Sequence, residues 1–390
     1  MSQLLTPYPR ADVGQKLAPG VKILKRWTIL ESEEDLNFPF LSQFSDGRLL
    51  LQATRGVHCT RAEQAFHLIS YDNGENWKSV AMPLRGDSLI QWGMTTFQNG
   101  SKIYNYEQRW SSRGRPMIGY RWVCDVDSIP WKSQKEVERD GDSFFTPRPW
   151  SEGQEVRYDV PDDYRGYNLH LPPIADGDGR LVALVHGTKQ VATETARQKD
   201  LEYANVLAIE STDTGRTWQV CGRVSDFDSP PADKRIGYEG PCEPAAIHLR
   251  DGRILVVVRT GNVHFEPPDA RGMMHRSFSS DGGRTWTPLE SLGIPGVRPE
   301  LRRLSDGRIF LICGRPGNLL IPVDPDTGEL GAASDIFSGD PSLYYESCCN
   351  PACVEVSPGR LLFIYTHGNL CGGNGGGTNT NRLIAALIQV

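Results

Sequence analysis

The 390-residue chain has no apolar stretch approaching the roughly 18 residues that a membrane-spanning helix needs. Its first residues, MSQLLTPYPRADVGQK, lack a basic segment followed by an apolar run, so no secretory leader is expected. Neither sign of charge is in large excess: the formal net charge is −6, which offers no electrostatic case for nucleic acid or an anionic membrane. A Rossmann glycine fingerprint, a P-loop and an EF-hand loop are all missing, so no cofactor is expected. Cys348, Cys349 and Cys353 cluster, but no second pair at zinc spacing accompanies them, and no metal site is expected. The nine cysteines are an odd number in a chain large enough to bury a core without staples. Reduced thiols in a cytoplasmic protein are therefore the expectation.

What is present is a repeat. A loop, an apolar strand, a glycine turn and a second apolar strand recur six times, and the units are numbered here by their turns. The turns are Asp46-Gly47-Arg48, Asn99-Gly100, Asp178-Gly179-Arg180, Asp251-Gly252-Arg253, Asp306-Gly307-Arg308 and Pro358-Gly359-Arg360. Asp-Gly or Asn-Gly between apolar runs is a strong hairpin signal, because the turn needs positive φ. Pro39, Pro244, Pro299 and Pro351 each stand seven residues before a turn, and Pro172 falls one residue out of step. A proline suits the first residue of a strand, where no ladder donor is lost.

A second motif follows three of the hairpins: Ser70-x-Asp72-x-Gly74-x-x-Trp77, Ser211-x-Asp213-x-Gly215-x-x-Trp218 and Ser279-x-Asp281-x-Gly283-x-x-Trp286. These read as structural turns. Ser and Asp can bond turn amides, Gly supplies positive φ, and Trp packs between sheets. The pattern is the Asp-box, and over about residues 20–390 the chain resembles the sialidase (BNR-repeat) superfamily. The resemblance implies an all-β fold, a six-bladed propeller of four-stranded antiparallel blades, forming a single domain over residues 1–390. The final strand Arg382–Val390 leaves its blade one strand short, and Val21–Leu30 reads as a strand without a blade. The second is expected to complete the first and so close the ring.

Strand polarity then sorts the candidates. The Gly turns and the boxes fall at one end of each blade, and strand one starts at the other. Eight residues before each turn lie Phe38, Gln91, His170, Glu243, Arg298 and Asn350. Seven or eight past the turn glycine lie Thr54 and Arg55, Glu107, His186, Arg259, Arg315, and Thr366 and His367. Carboxylates, imidazoles and guanidiniums above apolar strands are what a site for a polar small molecule requires.

The resemblance implies roles for some of them. In sialidases a Glu near the start of blade four, matched by Glu243, activates a Tyr nucleophile, while three arginines hold the substrate carboxylate. Arg259 and Arg315 match two of these; bidentate Arg–carboxylate pairing is the physical reason. The chain departs from the pattern elsewhere. The first-blade Arg-Ile-Pro is Asn37-Phe38-Pro39, Asn350 stands where the Tyr is expected, and the blade-one acid loop carries Glu63 and His58 but no Asp. Tyr344 and Tyr345 lie just upstream of Asn350 as displaced substitutes.

The expected activity is an exo-acting glycoside hydrolase on an acidic or deoxy sugar, not necessarily sialic acid. Glu243 would be the base, with Tyr345 as nucleophile and Glu107 or Glu63 as acid. Arg259, Arg315, Arg298, Arg55, His186 and Gln91 would bind a carbohydrate substrate. Two alternatives stand beside it: a lyase with His170 or His186 as base, and a non-catalytic carbohydrate- or protein-binding propeller. A long insert in the second blade, about residues 132–165, would wall the pocket or make a subunit contact. Its Phe144, Phe145, Trp150 and Tyr158 are candidates for sugar stacking or for ordinary packing.

Overall fold

The computed structural model describes residues 16–34, 36–55, 60–61, 65–83, 89–90, 94–108, 118–128, 150–161, 164–169, 171–176, 179–190, 202–226, 240–260, 273–314, 317–337, 351–367 and 382–390. These residues form strands and turns, with no helix among them and hence none able to cross a membrane.

Four units each make a separate four-stranded antiparallel sheet. Unit 1 runs Leu36–Gln43, Leu49–Arg55, Ala65–Ser70 and Lys78–Ser79. Unit 4 runs Pro241–His248, Ile254–Thr260, Met273–Ser279 and Glu290–Pro295. Unit 5 runs Val297–Arg303, Ile309–Gly314, Asn318–Val323 and Ser334–Phe337. Unit 6 supplies three strands, Ala352–Ser357, Arg360–His367 and Arg382–Gln389, and Lys22–Glu31 pairs antiparallel with the last as the fourth. The chain's two ends thus share one sheet, which pairs an edge that would otherwise be open.

Units 2 and 3 belong to a single nine-stranded sheet. Their outer strands, Gln154–Asp159 and Thr217–Arg223, pair in parallel through Arg157–Thr217 to Asp159–Gln219. This corrects the extent of the second-unit insert. Its later part is sheet: Gln154–Asp159 also pairs with Ile118–Asp125, and Tyr164–Leu169 pairs with Leu181–Gln190. Strict alternation in QEVRYD puts Val156 and Tyr158 into the core, while Trp150 packs in the layer that holds Trp122. Trp150 and Tyr158 are therefore packing residues. Phe144 and Phe145 lie outside the described residues.

The apolar runs are continuous because the second strand of a unit is buried on both faces. In the second strand of unit 1, Leu49 and Leu51 enter the layer shared with Leu362 and Ile364 of unit 6, whereas Leu50 enters the layer shared with Ile103 and Trp122 of unit 2. Equivalent layers lie between units 2 and 3, 3 and 4, 4 and 5, and 5 and 6. Side chains of successive strand positions point to opposite faces, so a strand between two neighbours must be apolar at both parities. The contacts run from each unit to the next and from the sixth back to the first.

The turn end is cross-tied by the repeat itself. In each box the Ser hydroxyl accepts the glycine amide, at 2.9, 2.8 and 2.8 Å for Gly74, Gly215 and Gly283. The Asp carboxylate accepts amides further along the turn, and the Trp indole donates to the glycine carbonyl. Bonds from the Thr285 side chain and amide hold the Asp281 carboxyl at about 2. The Gly-turn arginines bond the neighbouring unit: Arg48 reaches the Val126 carbonyl, Arg180 that of Gly282 and Arg253 that of Asp326. The turn aspartates Asp46 and Asp251 orient Arg48 and Arg253, accepting their Nε at 2.6 Å in each case. Unit 5 carries a related turn in which Asp324 accepts the amides of Asp326 and Thr327, and Gly328 packs on Phe278 of unit 4.

Candidate functional site

The three described residues that stand eight positions before a Gly turn occupy an unusual backbone. Phe38, Glu243 and Arg298 have φ of +52°, +49° and +47°, and each precedes a proline. Each also sits in a register shift, between Asn37 and Phe40, Cys242 and Ala245, and Val297 and Glu300. Pro39, Pro244 and Pro299 therefore lie inside β-bulges and not at the first strand residue. A bulge frees the ladder position that proline cannot fill. A non-glycine residue at positive φ costs about 1–3 kcal/mol and persists only where the surroundings over-determine it. The bulge also re-aims the side chain, here at the end of the sheets remote from the boxes.

Glu243 is buried, and both its oxygens are engaged. Oε1 accepts Nη1 of Arg259 at 2.9 Å, and Oε2 accepts the backbone amide of Arg298 at 2.7 Å. Arg259 is buried too, at the end of the next strand. The pair is thus brought together from one hairpin, as the spacing of 16 residues across a glycine turn requires. His186 senses both charges. Burial pushes its imidazole down to about 4, with the Glu243 carboxylate opposing and Arg259 reinforcing that shift. At neutral pH it is an uncharged ring.

Arg298 is placed otherwise than a substrate ligand. It is wholly buried; its guanidinium stacks 3.9 Å from the centroid of Phe40 and donates to the carbonyls of Pro39, at 2.7 Å, and Pro351, at 3.1 Å. A buried guanidinium held on two main-chain carbonyls is engaged within the protein, which speaks for a structural role. Arg55 ends its strand exposed, stacked 5.0 Å from the ring centroid of Phe66 in its own sheet. Glu107 is the penultimate residue of the strand Lys102–Gln108, opposite Met94 and Tyr120. Glu63, Gln91, His170, Arg315 and Tyr345 lie outside the described residues.

Arg298 also borders a small cavity of mixed character. Its apolar lining comes from Phe40, Leu41, Leu171 and Pro172, and its polar lining from Ser42, Gln52, Thr95, Thr96, Arg298, Glu300 and Arg302. Glu300 pairs with Arg302, which also donates to the Leu41 carbonyl at 3.2 Å. Gln52 faces its cross-strand partner His67, whose imidazole burial drives down to about 3. The sequence signal for this cavity was a polar residue interrupting an apolar run, Gln52 in LLLQA.

No protein-family model matches the chain, and no curated protein is similar to it in sequence. Similar solved structures do exist. A protein of unknown function from Dyadobacter fermentans is 16% identical with a TM-score of 0.64, over 96% of this chain and 100% of that one. The Hadza microbial sialidase Hz136 is 13% identical with a TM-score of 0.60, over 94% of this chain and 68% of that one. The α-L-arabinofuranosidase Arb93A of Fusarium graminearum is 11% identical with a TM-score of 0.59, over 94% of this chain and 98% of that one. The chain therefore has the all-β fold shared by these propeller proteins.

Proposed function

We propose that the ring is a single six-bladed sialidase-like propeller and that the protein is a glycoside hydrolase. Its acting carboxylate is Glu243. The observation that carries this reading is the buried Glu243–Arg259 pair on a strained bulge at the strand-start end. A fixed carboxylate of this kind can activate water or a Tyr hydroxyl. Two of the similar structures are a sialidase and an arabinofuranosidase, which supports hydrolysis of a glycosidic bond. The second carboxylate would come from Glu107 or Glu63, the nucleophile from Tyr345, and substrate contacts from Arg259, Arg315, Arg55, His186 and Gln91. With Asn37 and Asn350 at two of the sialidase positions, the substrate is an acidic or deoxy sugar that need not be sialic acid.

The test is a screen of aryl glycosides and oligosaccharides, including sialyl and arabinofuranosyl donors, with Glu243→Gln as control. We expect release of a terminal sugar and a loss of about 10²–10⁴-fold in the variant. The amide still accepts the Arg298 N–H, and melting curves check that the variant folds. Equal activity of variant and wild type would eliminate this reading. One observation favours a second one: the neutral His186 beside Glu243 could accept a proton in β-elimination from a uronic acid. Unsaturated product absorbing in the ultraviolet, lost in His186→Gln, would mark that chemistry.

A further inference from the structure

Arg298 links parts of the molecule that are far apart in sequence. Its amide is bonded to Glu243 of unit 4, and its guanidinium to Pro39 of unit 1 and Pro351 of unit 6. Pro39 and Pro244 belong to the same X-Pro element as Arg298-Pro299 itself, and Pro351 stands at the matching position of unit 6. The first strand of unit 5 thus reaches across the cavity, past its immediate neighbour unit 6, to the first strand of unit 1. Arg302 repeats this four residues on, at the Leu41 carbonyl. Phe40 fills the space beneath the guanidinium. Units 1 and 6 flank the seam where the N-terminal strand closes the last sheet.

We propose that Arg298 is the positioning residue of the site: its guanidinium locks the strand starts of units 1, 5 and 6 together, and its amide, fixed by that lock, holds and orients the Glu243 carboxylate. The assignment rests on the reading of Glu243 as the acting carboxylate. The physical argument is that a hydrogen bond orients a carboxylate only as well as its donor is itself fixed. A pre-proline residue at φ +47° has no regular ladder to fix it. Here its own side chain supplies the anchor: Nη1 donates to both carbonyls while the planar guanidinium lies on the face of Phe40. Lysine has a point charge on a flexible stem and cannot reproduce that geometry. Glu243 and Arg298 therefore act as a coupled pair in which the arginine never meets substrate.

The test compares Arg298→Lys with wild type. Where a hydrolysed glycoside has been found, we expect kcat to fall at least tenfold with KM within twofold. The acidic limb of the pH–rate profile should move to higher pH, because a loosened N–H stabilises the carboxylate less. Independently of activity, the Glu243 carboxyl can be titrated by carbon NMR of glutamate-labelled protein, its resonance identified by loss in Glu243→Gln. Its pKa should rise in Arg298→Lys. Phe40→Leu, which removes the ring under the guanidinium but keeps the arginine, should move it the same way by less and serves where the lysine variant does not fold. A variant that melts earlier but leaves the Glu243 titration unchanged would reduce Arg298 to a purely structural clamp and overturn the proposal. An active Glu243→Gln enzyme, by contrast, would sink the functional reading while the NMR titration still judged the positioning.

Discussion

The two ends of the sheets solve the same backbone problem with different residues. At the turn end, positive φ falls mostly to glycine: Gly47, Gly100, Gly179, Gly252, Gly307 and Gly359 in the hairpins, and Gly74, Gly215 and Gly283 in the boxes. Asn73 and Thr214 are the non-glycine cases there, both inside boxes. At the strand-start end Gly240 and Gly317 share it with Phe38, Glu243 and Arg298, and each of these three stands ahead of a proline. Glycine accepts this conformation at little steric cost, so the turn end stays nearly strain-free. A buried Glu or Arg does not, and the strain is offset by the contacts it gains. One end is built for cohesion between sheets, and the other accepts local cost to aim charged side chains.

The largest effect should come from breaking the turn end where it meets its neighbour. A Cβ on Gly215 would stand 1.9 Å from the Tyr106 hydroxyl of unit 2, at a residue whose φ is +81°. That hydroxyl is itself hydrogen-bonded to the Gly215 carbonyl at 3.1 Å, so the ring cannot swing away freely. Gly215→Ala should lose about 3 kcal/mol, combining overpacking with left-handed strain. The readout is the denaturant midpoint. The Glu243 site, at the other end, should keep its titration in whatever fraction remains folded.

Acid should separate the two ends by pH. Burial lowers His67 to about 3 and His186 to about 4 in the folded state, against about 6.5 for an unfolded chain. Between those values the unfolded chain binds more protons. The stability contributed by these neutral imidazoles is thus complete above pH 6.5 and is lost as pH falls, by up to about 1.4 kcal/mol per unit for each ring. The box acid Asp281, held at about 2, contributes stability that is lost only as pH falls below its ordinary value of 3.8. Between pH 6.5 and 4.5 the fall in the urea midpoint should therefore come mainly from the two buried imidazoles. His67→Leu should flatten the slope there, and an unchanged slope would place the acid sensitivity elsewhere.

Much of this division was legible in the sequence. Continuous apolar runs, six glycine turns and three boxes define the sheets, and the polarity of a hairpin by itself puts Glu243 beside Arg259. The role of Arg298 was not legible, because it depends on a bulge that turns the side chain from the solvent side to the interior. Pro299 marks the spot but does not say which way the chain bends. The strand Gln154–Asp159 was hidden for the opposite reason. Its alternation is plain, yet it follows a long stretch without a glycine turn, so it read as part of an insert. The sequence marks the DGR arginines only as turn residues, since their partners belong to the next unit.

The smallest effect should come from a turn glycine with no neighbour. A Cβ on Gly252 would meet nothing within 4 Å, so only its φ of +88° opposes a side chain there. Gly252→Ala should then cost about 1 kcal/mol, the left-handed penalty by itself. Gly252→Asn should cost less, because Asn tolerates that region. The difference from Gly215→Ala isolates the contact between sheets from the backbone conformation both glycines share. If the two alanine variants melted alike, the packing of the boxes on the preceding unit would contribute little. The cohesion of the turn end would then rest on the arginine bonds from Arg48, Arg180 and Arg253, which Arg253→Met would expose.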